Sequence, residues 1–217
     1  MTGIKFCGIT RGSDARVAAS LGAAYIGVIF AESKRRVKPD MAREITSGME
    51  NGPRIVGVFD DLPIAEMARI ADEAALDVVQ LHGRFRPQDV AMLRRGFAGE
   101  IWAVCGLDPT ASTVPGEAVE LADVADAIVL DARVGGVTGG TGRTLDWTGL
   151  AIAARSLSRA TYIVLAGGLT PDNVGEAIAV IAPAVVDVSS GVESSPGIKD
   201  PGLMQAFAEA VRSASLE

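Results

Sequence analysis

The sequence predicts a single eight-stranded β/α barrel. Short apolar runs rich in valine and isoleucine alternate eight times with longer stretches of helical period. The runs are continuously apolar, as expected for parallel strands that are covered on both faces. Eight such units in 217 residues fit a compact barrel of roughly 200 residues or more. We expect one domain over residues 1–217, and an open doubly wound sheet is the alternative.

Strands and helices are expected to alternate along the chain. The predicted strands are Ile4–Ile9, Tyr25–Phe30, Arg54–Phe59, Val78–Leu81, Ile101–Cys105, Ala127–Leu130, Tyr162–Ala166 and Val185–Val188. The predicted helices are Ser13–Leu21, Asp40–Met49, Pro63–Ala75, Pro87–Arg95, Glu117–Ala122, Thr148–Leu157, Pro171–Ile181 and Leu203–Ser213. Gly22 follows the first helix, where a terminating glycine is common. Pro63, Pro87 and Pro171 stand where a first-turn proline is tolerated.

Composition and charge argue against several classes of protein. The apolar fraction of 48% argues against disorder, and no apolar run is long enough to span a membrane. The net charge of −7 argues against a nucleic-acid partner, because phosphate backbones attract clustered lysine and arginine. The N-terminus shows no basic region followed by an apolar signal core, so we expect a cytoplasmic protein.

Few side chains in the sequence are suited to metal or cofactor chemistry. The chain has two cysteines, Cys7 and Cys105, and one histidine, His82, without the spacing of metal ligands. A structural disulfide is not expected in the cytoplasm, and no cofactor fingerprint is present. Catalysis would therefore depend on a small number of polar side chains at the strand ends, where β/α barrels carry their active sites.

Glycine-rich segments follow the sixth, seventh and eighth predicted strands. Barrels often bind phosphate in the last two of these loops, because glycines let backbone N–H groups approach the phosphate oxygens. Any one segment alone is as well explained by ordinary turns, but three at these positions favour a phosphate site. The predicted phosphate-binding residues are Gly140, Gly142, Gly167, Gly168, Ser189, Ser190 and Gly191.

Cys7 and Asp131 are candidates for a proton-transfer pair. They end the first and sixth strands, and a barrel brings such positions to one mouth. A thiolate can act as general base and a carboxylic acid as general acid if their environments separate their pKa values. A buried core cysteine and a capping aspartate are equally good interpretations of each residue alone. We expect the side chain of the neighbouring Lys5 to point away from that of Cys7. Cys105 also ends a predicted strand and is a second free thiol.

Three other side chains are candidate substrate contacts. Arg35, just past the second strand, can hold a carboxylate through two parallel hydrogen bonds; Arg36 is the alternative, and a solvated surface charge is the common case for either. Asp187 lies between valines and needs partners if buried, so it either orients a substrate hydroxyl or amine or accepts a structural hydrogen bond. For His82 we expect a contact in the site wall rather than the role of general base.

Motifs along nearly the whole chain resemble those of the phosphoribosylanthranilate isomerase family of tryptophan biosynthesis. The opening Cys-Gly-Ile-Thr and the closing Asp-Val-Ser-Ser-Gly-Val-Glu are the most specific of them. A departure is Arg36, which stands where an aromatic residue is common. The matching segments are Lys5–Thr10, Val56–Phe59, Val79–Gly83, Leu130–Asp131, Gly139–Gly142, Asp146–Trp147, Leu165–Leu169, Asn173–Val174, Val186–Glu193 and Gly197–Asp200.

This resemblance implies an Amadori rearrangement of N-(5'-phosphoribosyl)anthranilate that needs no metal or organic cofactor. It implies Cys7 as general base, Asp131 as general acid and Arg35 as the residue that holds the anthranilate carboxylate. The expected partner is a small phosphorylated aminosugar, with no nucleic acid or membrane, and the expected assembly is a monomer or homodimer.

Two rival functions remain open from the sequence. One is the related aminoaldose isomerase of histidine biosynthesis, or a form that accepts both substrates; such enzymes usually pair two aspartates, whereas the first strand here ends in Cys7. The other is a barrel that binds a phosphorylated ligand without catalysis. A scaffold has no need for a thiol, a carboxyl group and three glycine clusters at one mouth, so we rank it below the isomerase.

Overall fold

The computed structural model describes residues 1–49, 51–134, 137–138 and 144–215. In chain order, its strands are β1 (Gly3–Phe6), β2 (Tyr25–Ile29), β3 (Arg54–Phe59), β4 (Val78–Leu81), β5 (Glu100–Leu107), β6 (Ala127–Val134), β7 (Val137–Thr138), β8 (Tyr162–Leu165), β9 (Val185–Val188), β10 (Glu193–Ser195) and β11 (Ile198–Lys199). The helices are α1 (Gly12–Ser20), α2 (Pro39–Ile45), α3 (Ile64–Glu73), α4 (Pro87–Leu93), α5 (Gly116–Ala122), α6 (Trp147–Leu157), α7 (Val174–Ile181) and α8 (Pro201–Ala214).

Eight of these strands form a closed parallel barrel. Strands β1 to β6 pair in sequence, β6 pairs with β8, β8 with β9, and β9 returns to β1. The β5–β6 pairing closes the ring of these eight strands, so the open doubly wound alternative is wrong. The predicted (β/α)₈ barrel is confirmed. No helix in the described part of the chain is long and apolar enough to cross a membrane.

The predicted strands and helices are all present; three strands have the predicted bounds, and the ends of the other elements are shifted. β1 stops at Phe6, because the chain turns out of the sheet at Gly8 (φ 72°). α7 begins at Val174 rather than at the predicted Pro171. There the side chain of Asn173 accepts a hydrogen bond from the backbone N–H of Thr170 and donates one to the carbonyl of Gly168. These bonds hold the preceding residues in a turn instead of a first helical turn.

Apolar side chains fill the lower part of the barrel and leave its upper end to polar groups. Val56, Val78, Trp102 and Val164 belong to a buried cluster inside the barrel, and a larger cluster lies between the strands and the helices. Trp102 is fully buried and makes edge contacts with two tyrosine rings. This packing fills the barrel near the amino ends of the strands, so the described residues leave room for a ligand at the carboxyl ends. The buried polar side chains are Lys5, Asp14, Gln80, Asp131, Asp187 and Lys199.

Candidate active site

A cavity of about 670 Å³ opens at the carboxyl ends of the barrel strands. Its volume lies within the range of small-molecule sites, roughly 300–1,000 Å³. Every predicted site residue in the described part of the chain lines it, whereas Gly140 and Gly142 lie outside the described residues. The predicted residues in its wall are Cys7, Arg35, His82, Asp131, Gly167, Gly168, Asp187, Ser189, Ser190 and Gly191.

The two cysteines have different surroundings. Cys7 follows β1 and lines the cavity. Cys105, in β5, packs in the core between strands and helices, while its neighbours Val104 and Gly106 line the cavity. Alternate residues of a strand face opposite sides of the sheet, so the thiol of Cys105 points away from the site. Burial raises the pKa of Cys105 to about 11.

A buried ion pair lies beside Cys7. Lys5 Nζ is 2.6 Å from Asp187 Oδ2, and the Lys5 side chain is completely buried. Lys5 and Asp187 face each other directly across the β1–β9 pairing. The expectation that Lys5 points away from Cys7 is wrong, because residues two positions apart in a strand share a face. Lys5 therefore contributes a positive charge to the interior of the site.

The pKa of the Cys7 thiol results from opposing influences. Burial raises this pKa, the ammonium group of Lys5 lowers it, and the carboxylate of Asp187 raises it again. Lys199 lowers it further, but the net effect is a pKa above the ordinary thiol value. The thiolate is thus a minority form at neutral pH and, once formed, a stronger base than an ordinary thiolate.

Asp131 lies on β6 and reaches the same cavity. Burial is the main reason that its pKa is raised to about 7, and the negative charge of Asp187 adds to this effect. Its Oδ1 is buried and has no hydrogen-bond partner among the described residues. A carboxyl group that keeps its proton near neutral pH and faces a cavity is suited to donate that proton.

The loops after β8 and β9 approach the cavity through their backbones. Gly167 and Gly168 have positive φ angles of 87° and 64°, which glycine adopts without the steric penalty of a side chain. A Cβ atom on Gly167 would lie 2.8 Å from Asp131 Oδ1. A short 3₁₀ helix, Ser190–Val192, follows Ser189. These loops present backbone at the end of the cavity where barrels often bind phosphate.

Arg35 and Arg36 differ in where their side chains lie. Arg35 lines the cavity, and its Nε and Nη2 atoms bind the two carboxylate oxygens of Glu193 at 2.8 Å and 2.6 Å. Arg36 is exposed and is absent from the cavity wall. Of the two candidates for holding a carboxylate, only Arg35 faces the space in which a ligand would bind.

Some residues of the site were not singled out from the sequence. Lys5 interrupts an apolar run just as Asp187 does, so the same argument about buried charge identifies it. Gln80 lines the cavity with a buried Oε1 that has no partner among the described residues. Glu193 binds Arg35 and Lys199 binds Glu193, and both lie on a hairpin that the strand pattern did not predict. No group of three potential metal ligands occurs among the described residues.

Comparison with known proteins gives one family. The family model for N-(5'phosphoribosyl)anthranilate (PRA) isomerase matches residues 4–210. The N-(5'-phosphoribosyl)anthranilate isomerase of Pseudomonas aeruginosa is 42% identical over 213 residues, covering 97% of this chain and 95% of the relative. The isomerase of Rubrobacter xylanophilus is 40% identical over 214 residues, covering 98% of this chain and all of the relative (100%).

Solved structures agree with this assignment. Phosphoribosyl anthranilate isomerase from Thermotoga maritima has a TM-score of 0.86 at 31% identity, with 98% of this chain and 100% of that chain covered. A phosphoribosyl anthranilate isomerase in complex with reduced 1-(o-carboxyphenylamino)-1-deoxyribulose 5-phosphate has a TM-score of 0.82 at 30% identity, with the same coverage of 98% and 100%.

Proposed function

The chain belongs to the N-(5'-phosphoribosyl)anthranilate isomerase family of tryptophan biosynthesis, and we propose that general acid–base catalysis by Cys7 and Asp131 carries out its reaction. As a member of this family, it is an isomerase that interconverts an aldose and a ketose. The product is 1-(2-carboxyphenylamino)-1-deoxyribulose 5-phosphate. The observation that carries this proposal is that a thiol from β1 and a carboxyl group from β6 line one cavity.

The first step is opening of the furanose ring. Asp131 donates its proton to the ring oxygen, the bond from that oxygen to C1 breaks, and the nitrogen lone pair forms a protonated imine. Burial supports this role, because it raises the pKa of Asp131 to about 7. A carboxyl group with an ordinary pKa, about 3.9, would be almost entirely ionised at neutral pH.

The second step is proton abstraction from C2. The Cys7 thiolate takes this proton, and the electrons of the C–H bond move to the imine to give an enolamine. The enolamine then tautomerises. Its C2 hydroxyl group loses a proton, C1 gains a proton, and a ketone forms at C2. Cys7 then releases the proton taken from C2 and Asp131 regains one, by exchange with solvent, so protons and electrons balance without an external oxidant or reductant. Lys5 supports this step, because its ammonium group lowers the pKa of Cys7 against the effect of burial.

The remaining wall residues bind the two ends of the substrate. Arg35 holds the anthranilate carboxylate, and the loops with Gly167, Gly168 and residues 189–191 hold the phosphate. Asp187, whose Oδ1 has no partner among the described residues, accepts a hydrogen bond from a substrate hydroxyl or amine, and His82 contacts the substrate from the wall. The solved relative with reduced 1-(o-carboxyphenylamino)-1-deoxyribulose 5-phosphate supports a ligand with both anionic ends.

An assay on the purified chain tests this function. We expect the fluorescence of the anthranilate group in N-(5'-phosphoribosyl)anthranilate to decay on addition of enzyme in the presence of a metal chelator. Parallel reactions with the aminoaldose of histidine biosynthesis distinguish the rival isomerase. Turnover of that substrate alone, or of neither, would refute the proposal. A cytoplasmic location and assembly as a monomer or homodimer stay predictions.

A further inference from the structure

Glu193 occupies part of the hydrogen-bonding capacity of Arg35. The guanidinium group has five N–H donors. Two of them, one on Nε and one on Nη2, donate to the carboxylate of Glu193 at 2.8 Å and 2.6 Å. Within the described residues, Nη1 has no hydrogen-bond partner. Two parallel bonds fix the plane of a guanidinium group as well as its position. Arg35 therefore presents its remaining donors to the cavity in one fixed orientation.

The position of Glu193 is itself strongly determined. Its side chain is 4% exposed, and its Oε1 also accepts hydrogen bonds from Lys199 Nζ at 2.9 Å and from the backbone N–H of Gly197 at 3.2 Å. Although burial favours the neutral form, the bonds from Arg35 and the charge of Lys199 hold the pKa of Glu193 below its usual range. Glu193 is thus a charged, fully bonded group rather than an adaptable surface carboxylate.

A short hairpin carries Glu193 to this place. β10 and β11 pair in antiparallel register with Glu193 opposite Lys199, and Gly197 (φ 82°) lies in the turn after Pro196. The hairpin is attached to the first βα loop, where the Thr10 hydroxyl donates to the carbonyl of Gly197 at 2.5 Å. Lys199 Nζ also donates to the backbone carbonyl of Ser189 at 3.0 Å. One set of contacts therefore joins Arg35 to the loop after β9.

We propose that Glu193 is a positioning residue that aims Arg35 at the carboxylate of the substrate, and that it thereby sets the preference of the enzyme for an aromatic amine with an ortho carboxylate. This inference rests on the proposed function. Arg35 acts directly on the substrate, and Glu193 acts only through Arg35. A cationic side chain without this support would still attract the carboxylate, but it would not hold its donors in the geometry that two-point recognition requires.

Two substrates separate this role from a merely structural one. N-(5'-phosphoribosyl)anthranilate carries the carboxylate, and the N-phosphoribosyl derivative of aniline lacks it but keeps the phosphate and the sugar. The measured quantity is the ratio of their kcat/KM values. We expect Glu193→Gln to reduce the ratio of the anthranilate value to the aniline value roughly tenfold or more. Hydrogen bonds to charged groups change binding constants by factors of about 10 to 100. The loss should fall on KM for the anthranilate substrate. Glu120→Gln, an exposed change on α5, is the matched control.

Each outcome for Glu193 and Arg35 has a defined meaning. If Arg35→Ala and Glu193→Gln both lower the ratio, the positioning role is supported. If Arg35→Ala lowers the ratio and Glu193→Gln leaves it unchanged, whether or not both rates fall, the positioning role is wrong while the proposed function stands. If Arg35→Ala leaves the ratio unchanged, both the carboxylate assignment and the inference fail. If the wild-type chain does not turn over the anthranilate substrate, the proposed function itself is refuted.

Arg35→Lys provides a second test in which Glu193 itself is not substituted. Lysine keeps the positive charge but cannot form two parallel bonds with a carboxylate. We expect this variant to lose the preference for the anthranilate substrate to a degree comparable with Glu193→Gln. Should Glu193→Gln fail to fold, this variant decides the question: a retained preference would show that charge alone suffices and would overturn the inference.

Discussion

Cys7 and Asp131 are the residues on which the proposed chemistry depends. We expect Cys7→Ser and Asp131→Asn each to reduce kcat by roughly 10²–10⁴-fold, the range of general acid–base contributions, while the fold is retained. Cys105→Ser is the matched control, because this thiol faces the outer core rather than the cavity. Steady-state rates and circular dichroism of the three variants check the prediction. Turnover near that of the wild type in either site variant would remove that residue from the mechanism.

The pH profile gives a second prediction for this pair. The proposed mechanism needs protonated Asp131, with a pKa of about 7, and ionised Cys7, with a pKa above the ordinary thiol value. The fraction of enzyme with both forms rises with pH up to about 7, stays level, and falls beyond the pKa of Cys7. In Asp131→Asn the acid no longer titrates. We therefore expect log(kcat/KM) to keep rising with pH, with a slope of about one, through the range in which it is level for the wild type. A level region that persists in the variant would contradict this assignment.

Arg35 and Arg36 are adjacent but have different surroundings. We expect Arg35→Ala to raise KM roughly 10- to 100-fold with a smaller change in kcat, since it removes charge-assisted hydrogen bonds to the substrate. Arg36→Ala should leave KM close to that of the wild type, because its side chain is exposed and outside the cavity wall. Initial rates over a range of substrate concentrations compare the two. The opposite result would transfer the carboxylate site to Arg36.

At the level of elements, the loop after β9 depends on a close approach of two backbones. A Cβ atom on Gly191 would lie 1.9 Å from the carbonyl oxygen of Leu169, so Gly191→Ala must displace one of the two loops. We expect KM to rise at least about tenfold, because displacements near 1 Å in a site have effects of up to 10². Gly116→Ala, where a Cβ meets open space, is the control. An unchanged KM in Gly191→Ala would exclude this loop from phosphate binding.

The elements also differ in how well the sequence predicts them. Barrel strands are buried on both faces, so runs such as Ala127–Leu130 stand out as continuously apolar. The β10–β11 hairpin is short and polar, and its signal is the Pro196–Gly197 pair that is typical of a tight turn. Lys5 carries a signal in the sequence, a charge within an apolar run, but its pairing with Asp187, 182 positions away in the chain, does not. Patterns along the sequence predict elements well, but pairings between distant side chains follow only from the closed barrel.

At the level of the whole molecule, protonation of Asp131 makes the free energy of unfolding depend on pH. Its pKa of about 7 in the folded chain exceeds the unfolded value of about 3.9. The contribution of Asp131 to the free energy of unfolding is therefore fully present below about pH 3.9 and is lost as pH rises through about 7. The difference is roughly 4 kcal/mol at most. We expect Asp131→Asn to be more stable than the wild type at pH 8, by roughly 1–4 kcal/mol, with a smaller difference at pH 5.

Denaturant unfolding of both proteins at the two pH values measures this difference. The comparison uses the wild type as its own reference at each pH, so general effects of pH on the fold cancel. A variant that is less stable than the wild type at pH 8 would mean that the carboxylate of Asp131 has stabilising partners in the folded chain and is not a strained proton donor.

The most direct test of the whole mechanism asks which bond each residue breaks. N-(5'-phosphoribosyl)anthranilate with deuterium at C2 of the ribose is compared with the unlabelled substrate in single-turnover reactions of Cys7→Ser and Asp131→Asn. We expect a primary isotope effect in Cys7→Ser, where loss of the C2 proton becomes slow. In Asp131→Asn ring opening becomes slow, and the effect should be suppressed. An isotope effect confined to Asp131→Asn, or equal in both variants, would contradict the division of roles between the thiol and the carboxyl group.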